Sequence, residues 1–193
     1  MNNILHRKDR LVITTISLID ELGIQGISTR EIAKREGVSE ATLFRHYKNK
    51  NELLIAVLDF YVKFDEDIFM TAKLKGLTPN KAIQFIMSST AEYYENYPAI
   101  TAITQTMDVL QYEPDLKNKI QNMIFNRSNY ITQLIEEAKR IGEIKPNVDS
   151  RELSDIIVGS FIEIILKWRI TRDFSLKGRI MSAVNVLLDS FSL

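Results

Sequence analysis

The sequence predicts an all-α protein of about nine helices, an N-terminal three-helix unit with a helix-turn-helix followed by a larger C-terminal helical bundle. Three observations predict it. Apolar residues recur at spacings of three and four along nearly the whole chain, and runs alternating with period two are scarce. Cap residues and breakers also stand at intervals of helical length, among them Ser28, Gly37, Ser39, Pro79, Pro98, Pro114, Gly142 and Asp149.

Each element has its own justification. Leu11, Val12, Ile16, Leu18, Ile19 and Leu22 give a first helix over about Lys8–Leu22 a broad apolar face, and Gly23 stops it. Ser28 opens a short second helix, with Glu31 at the spacing of a capping box, and Gly37 ends it by supplying a left-handed conformation. Ser39 caps a third helix through about His46, and Asn49 with Glu52 caps a long fourth one reaching Leu74. Thr78-Pro79 reads as a cap followed by proline at the first helical position, opening a fifth helix that Pro98 breaks. A sixth helix runs to about Leu110. Pro114 starts a seventh, closed by Lys139, Arg140 and Gly142, with cations at the negative helix end. Asp149 with Glu152 caps the eighth, and the ninth covers about Leu176–Phe191.

Composition narrows the chemistry. The 193 residues contain no cysteine, so neither a disulfide nor a thiolate metal site is available. The two histidines, His6 and His46, are far apart, and a zinc site would need several carboxylates; no metal or cofactor is expected. The opening MNNILHRKDR is charged too early for a secretory leader, and the longest apolar candidate, Ile156–Leu166, is interrupted by Glu163. A cytoplasmic protein without a membrane partner is expected. Net charge is zero, but residues 1–50 hold nine Lys/Arg against six Asp/Glu, and the remainder holds 16 against 19. A basic head on an acidic body suits a protein that meets nucleic acid at one end.

The head carries the most specific signal. From Ser28 to Tyr47 two short helices are joined by a tight glycine turn, with Ile32, Ala33, Val38 and Leu43 as core and Tyr47 as a packing aromatic. That is the helix-turn-helix plan, whose second helix enters the major groove. The match extends further, through ISTREIAKREGVSEATLFRHYKNKNELLIAVL (27–58), preceded by ELGIQG. Over residues 8–58 the chain closely resembles the TetR family of transcriptional regulators: a Gly-x-x-Gly connection, Ile-Ala, Gly-Val-Ser, an aromatic-x-His-aromatic segment, and Lys ahead of Leu-Leu.

The resemblance implies a role for each matching position. Thr29 and Arg30 would meet phosphate or a groove edge. Glu40, Ala41, Thr42 and Arg45 would lie on the exposed surface of the recognition helix, where Arg45 can donate two hydrogen bonds to guanine and Thr42 can offer its methyl to thymine. Phe44, His46 and Lys50 would grip the backbone, fixing register without reading sequence. Glu40 and Arg45 stand where the family has no fixed residue and would set specificity, though Glu40 also suits a helix N-terminus simply as a charge. Lys34, Arg35 and Glu36 read as a solvated face. Arg7, Lys8 and Arg10 suit either flanking phosphates or a solubilising tail.

The body, residues 51–193 against a head of 1–50, holds no G-x-S-x-G, no H-E-x-x-H and no glycine-rich phosphate loop, and an enzyme is not expected. The eighth helix is apolar nearly all round and the ninth carries a stripe spaced three and four. Ile157, Phe161, Ile164 and Trp168 with Ile180, Val184, Leu187 and Leu188 are the expected homodimer interface, a four-helix bundle that the resemblance also implies. The middle helices are rich in aromatics and methionines. Faces that set a hydroxyl or amide beside an aromatic suit a small-molecule pocket. Phe64, Phe85, Ser89, Tyr93, Met107, Met123, Asn126 and Tyr130 are the candidates. The resulting expectation is a homodimeric, ligand-responsive repressor of a double-stranded DNA operator, released by a small apolar effector. The alternative is a DNA-bound regulator whose body binds a protein partner. An enclosed pocket favours the first, and a filled core with an exposed apolar patch favours the second.

Overall fold

The computed structural model describes residues 6–193, so the first five residues of the stretch read for a leader lie outside the described residues. Among the described residues there are nine α-helices and no strand. They are α1 (Arg7–Leu22), α2 (Thr29–Glu36), α3 (Glu40–Phe44), α4 (Lys50–Leu74), α5 (Pro79–Asn96), α6 (Thr101–Leu110), α7 (Pro114–Arg140), α8 (Ser150–Thr171) and α9 (Leu176–Phe191), with a 3-10 turn (Pro98–Ile100) ahead of α6. None of these helices is long and apolar enough to cross a membrane.

Packing divides the chain into two compact units. One comprises the described residues up to Lys63 with Ala99–Gln121; the other comprises Phe64–Pro98 with Asn122–Leu193. These cuts differ from the expected boundary after residue 50. The physical reason is the width of the apolar face of α1, which buries Leu11, Val12, Ile16, Leu18 and Ile19 and packs against both α2 and α6. A three-helix head leaves part of that face uncovered, so α6 and the first turns of α7 pack with it. Helices α4 and α7 each contribute residues to both units.

In the first unit the caps form where local spacing puts them. Ser28 Oγ accepts from the Glu31 amide and Ser39 Oγ from the Thr42 amide, both at 3.1 Å. Asn49 Oδ1 accepts from the Glu52 amide at 2.8 Å. Both glycines of the α1–α2 connection are needed: Gly23 has φ +72°, and a Cβ on Gly26 would sit 2.5 Å from the Leu22 carbonyl oxygen. Gly37, at φ +71°, lets the Val38 amide reach back to the Ala33 carbonyl at 2.9 Å, closing α2. Helix α3 is shorter than expected. The His46 and Tyr47 amides both turn onto the Leu43 carbonyl, tightening the end after Phe44. Of the charged α2 residues, Lys34 and Arg35 are exposed as expected, Arg35 in a bidentate pair with Glu21, whereas Glu36 is half-buried, accepting from Thr14 Oγ1 at 2.8 Å and pairing with Arg10. Arg10 and Lys8, whose ammonium lies 5.3 Å from the Tyr47 ring centroid, are thus engaged with the head itself.

The second unit is built on α5 and α8, both packed against α9. Asp149 caps α8 as expected, accepting from the Arg151 and Glu152 amides, bonds that hold its carboxyl below its usual range. Thr78 makes no side-chain cap at α5. The Asn80 amide donates instead to Glu143 at 2.8 Å, a partner 63 residues away. At the far end of α8, Arg172 takes a left-handed conformation (φ 54°), and its guanidinium stacks 3.7 Å over the Trp168 ring.

The expected dimer residues need correcting. Ile157, Phe161 and Trp168 of α8 and Ile180, Val184 and Leu188 of α9 are buried in the protomer's own core, while Ile164 and Leu187 are half-buried. The apolar residues left exposed are Ile156, Ile162, Leu166 and Ile170 on α8 and Val186 on α9. Periodicity finds a stripe; it does not say whether the stripe faces the protomer's own core or a partner. The core takes the denser stripe first, because intramolecular burial requires no second molecule.

Candidate nucleic-acid interface and effector site

The recognition helix α3 presents a prearranged surface. Ala41, Phe44 and Arg45 are exposed, as is Arg30 on α2; Glu40, Thr42 and His46 are half-buried. Arg45 Nη2 donates to Thr42 Oγ1 at 2.9 Å, and Thr42 Oγ1 lies 2.9 Å from Ser39 Oγ. Because guanidinium can only donate, the Thr42 hydroxyl accepts from Arg45, and a second hydrogen bond, in which either hydroxyl can donate, links it to Ser39. This chain sets the exposed Arg45 guanidinium beside Thr42 on the outer face of α3.

Two other candidates are engaged within the head. Thr29 Oγ1 donates to Glu40 Oε1, tying the first turn of α2 to the first turn of α3. Glu40 thus has a third role that neither base reading nor helix-end charge anticipated. Lys50 Nζ donates to the Ile27 carbonyl oxygen at 2.8 Å. Its other two protons leave it able to meet a phosphate while it anchors the strand of chain that enters α2.

Tyr47 locks this arrangement from behind. It is buried, and its hydroxyl donates to the Lys8 carbonyl at 3.2 Å. Burial, with the charges of Asp9 and Glu52 adding to it, pushes its phenol up to about 12. A raised acid pKa means the native state holds a proton that the unfolded chain releases near 10. Its contribution is therefore complete below pH 10 and is lost as pH climbs from 10 toward 12. In denaturant titrations the head should lose on the order of 2 kcal/mol across that window. Tyr47→Phe should flatten this loss, and an unchanged slope in the variant would assign it to other groups.

In the second unit a small pocket opens between α4, α5, α7 and α8. It is lined by Asp65 and Phe69, by Ile86, Met87 and Thr90, by Arg127, and by Val158 and Phe161. Its free space is about 10 Å³, roughly one water, so the pocket itself is nearly filled by its own side chains. Arg127 Nε donates to Asp65 Oδ2 at 3.1 Å, and Nη2 bonds the same oxygen.

The aromatic candidates largely satisfy one another. Phe64 stacks on Tyr93 with centroids 3.6 Å apart, and Tyr130 stacks on Phe69 at 4.4 Å while donating to the Phe69 carbonyl. Phe85 faces the Lys75 ammonium, Ser89 and Met123 are half-buried, and Asn126 is exposed. Met107, on α6, belongs to the first unit. None of the eight lines the pocket. The apolar walls are Ile86, Met87 and Val158 with the rings of Phe161 and Phe69, the last of which also stacks on Tyr130. Phe161, expected at a dimer interface, is a pocket wall instead.

Asp65 and Arg127 were not anticipated, although the sequence carries a signal for them. Asp65 continues the series Leu58, Tyr61, Ile68, Ala72, and Arg127 the series Ile120, Ile131, Ile135, all buried. Opposite charges standing in the core stripes of two helices are the pattern of a buried pair.

Comparison with known proteins agrees with this architecture. Residues 12–57 match the profile of bacterial regulatory proteins of the tetR family, and residues 57–189 match that of the YsiA-like protein C-terminal region. A fatty acid metabolism regulator protein of Bacillus subtilis (strain 168) is 24% identical over 164 residues, covering 82% of this chain and 81% of its own length. A nucleoid occlusion factor, SlmA, of Aliivibrio fischeri (strain MJ11) is 25% identical over 192 residues, covering 92% and 95%. Among solved structures, FadR from Bacillus subtilis in complex with stearoyl-CoA aligns with a TM-score of 0.83 at 22% identity, over 96% of this chain and 100% of that one.

Proposed function

Because the chain belongs to the tetR family of bacterial regulatory proteins, we propose that it is a homodimeric repressor whose effector is a long-chain acyl thioester. Two heads, functionally residues 1–50, would grip successive major grooves of a near-palindromic operator about 34–36 Å apart. Arg45 reads a base, Thr42 positions it, and Lys50, Arg30, Phe44 and His46 hold the backbone. The bodies, residues 51–193, would pair through the exposed apolar face of α8 and Val186.

The observation that carries the effector reading is the pocket between α4, α5, α7 and α8, with an apolar floor and a charged pair beside it. The acyl class follows from the likeness to a fatty acid metabolism regulator and to a FadR that holds stearoyl-CoA. Helix α4 would transmit the signal, since Lys50 opens it and Asp65 lies four turns on. A ligand shifts binding only if it prefers the state that cannot hold DNA.

Duplexes selected from a random pool supply the operator, and fluorescence anisotropy at fixed salt measures its affinity. Palmitoyl-CoA should raise the operator Kd at least tenfold, about 1.4 kcal/mol of coupling. The close packing around the pocket, with Ile124, Phe125, Met70 and Leu74 exposed elsewhere on α7 and α4, favours the second reading, a protein partner. Operator affinity indifferent to palmitoyl-CoA would reject the acyl reading and leave the protein partner.

A further inference from the structure

The pocket has an uneven polarity. Ile86, Met87 and Phe161 are each 3% exposed, whereas the Asp65 and Arg127 side chains retain 15% and 17% exposure. Charge therefore stands at the rim, and the depth is hydrocarbon apart from the buried Thr90. A buried ion pair is a poor source of stability, since desolvating both charges offsets most of their attraction, and apolar replacements of similar volume often do as well. Removing one partner alone leaves the other charge uncompensated, which is strongly unfavourable. A site of this kind stays closed until something with the same charge as one partner takes its place.

We infer that the Asp65–Arg127 pair is the head-group gate of the effector site: Arg127 receives the negatively charged head of a long-chain amphiphile, and Asp65 occupies that position when no ligand is bound. This rests on the acyl reading above and adds the group that recognises the head. Two N–H groups of the guanidinium, on Nε and Nη2, bond the same carboxylate oxygen, Asp65 Oδ2, so an incoming anionic oxygen can take over these two bonds. The displaced Asp65 belongs to α4, so exchanging the anion acts on the helix that Lys50 opens. The apolar tail would part the Ile86, Met87 and Phe161 side chains beneath. The free space of about 10 Å³ means that tail entry and opening of the pair must occur together. A free carboxylate and the phosphates of the coenzyme A group in an acyl-CoA both supply the anionic oxygen that the guanidinium needs.

Titration calorimetry on the full chain with palmitate, palmitoyl-CoA and hexadecanol, each below its aggregation limit, separates these cases. The unaltered protein should bind at least one anionic probe roughly 10- to 100-fold more tightly than hexadecanol. Preference for palmitate assigns the head to a carboxylate, and preference for palmitoyl-CoA assigns it to phosphate. Equal binding of all three overturns the gate and leaves the acyl reading standing; binding of none overturns both. The charge swap Asp65→Arg/Arg127→Asp keeps a pair but presents the anionic head with the wrong charge. It should lose the anion preference at least tenfold with little change in melting temperature, and anion binding equal to that of the unaltered protein would make the pair purely structural. Where the swap fails to fold, the near-isosteric Asp65→Asn decides. Relieved of its competitor, Arg127 should bind the anionic probe several-fold more tightly, and unchanged or weaker binding overturns the proposal.

Discussion

Val184→Asp should unfold the C-terminal unit rather than merely separate two protomers. Val184 is 1% exposed in the α9 face that packs toward α5 and α8, and no cation stands among the buried residues of α9 to receive a carboxylate. Burying an unpaired charge while losing a packed side chain belongs to the most destabilising class of substitution, about 4 kcal/mol or more. Val186, two positions on, is 62% exposed, and Ile162 lies on the exposed side of α8. Ile162→Glu or Val186→Asp should keep the fold, with stability altered by about 0.5 kcal/mol or less, yet sediment as a monomer. Chemical denaturation beside analytical ultracentrifugation distinguishes the two effects. A folded, monomeric Val184→Asp protein would show that this face looks outward after all.

In the head, Arg45→Ala and Lys50→Ala should weaken DNA binding in distinguishable ways. Losing Arg45 should relax preference at one operator position and cost about 1–3 kcal/mol there. Losing Lys50 should weaken all sequences alike and flatten the log–log salt slope by about 0.9. The Lys50 bond to the Ile27 carbonyl adds a further expectation, a lower melting temperature for the head, because a carbonyl at the entry to α2 loses its charged donor. Arg45→Ala should leave stability nearly untouched, since its guanidinium bonds an exposed hydroxyl, that of Thr42, and its backbone bond to Ala41 survives the substitution. Equal, sequence-independent losses in both variants would make Arg45 another phosphate contact.

What could be read from sequence was what local chemistry decides. Ser28, Ser39, Asn49 and Asp149 cap helices with partners two or three residues away, and glycines at positive φ end α1 and α2. Helix α9 occupies Leu176–Phe191, the span its stripe suggested. What escaped depends on distant chain. Glu143 rather than Thr78 satisfies the start of α5, Glu36 is half-buried against α1, and α6 covers a side of α1 that no local pattern reveals. The effector candidates and the pocket do not coincide for a related reason. Aromatic density marks places where rings stack on each other, as Phe64 does on Tyr93, a contact between distant helices that periodicity does not reveal. The pocket's charged pair stands inside the apolar stripes of α4 and α7, where Asp65 and Arg127 interrupt the series of buried residues.

In the proposed repressor the head and the pocket bias one equilibrium, and linkage tests this from the ligand side. Palmitoyl-CoA affinity is measured by calorimetry on the free protein and again on the protein saturated with operator DNA. Coupling between two binding sites is reciprocal, so whatever factor palmitoyl-CoA imposes on operator affinity, the operator must impose on palmitoyl-CoA affinity. Palmitoyl-CoA should bind at least tenfold more weakly to the DNA-bound protein. Equal affinity in the two states would contradict it.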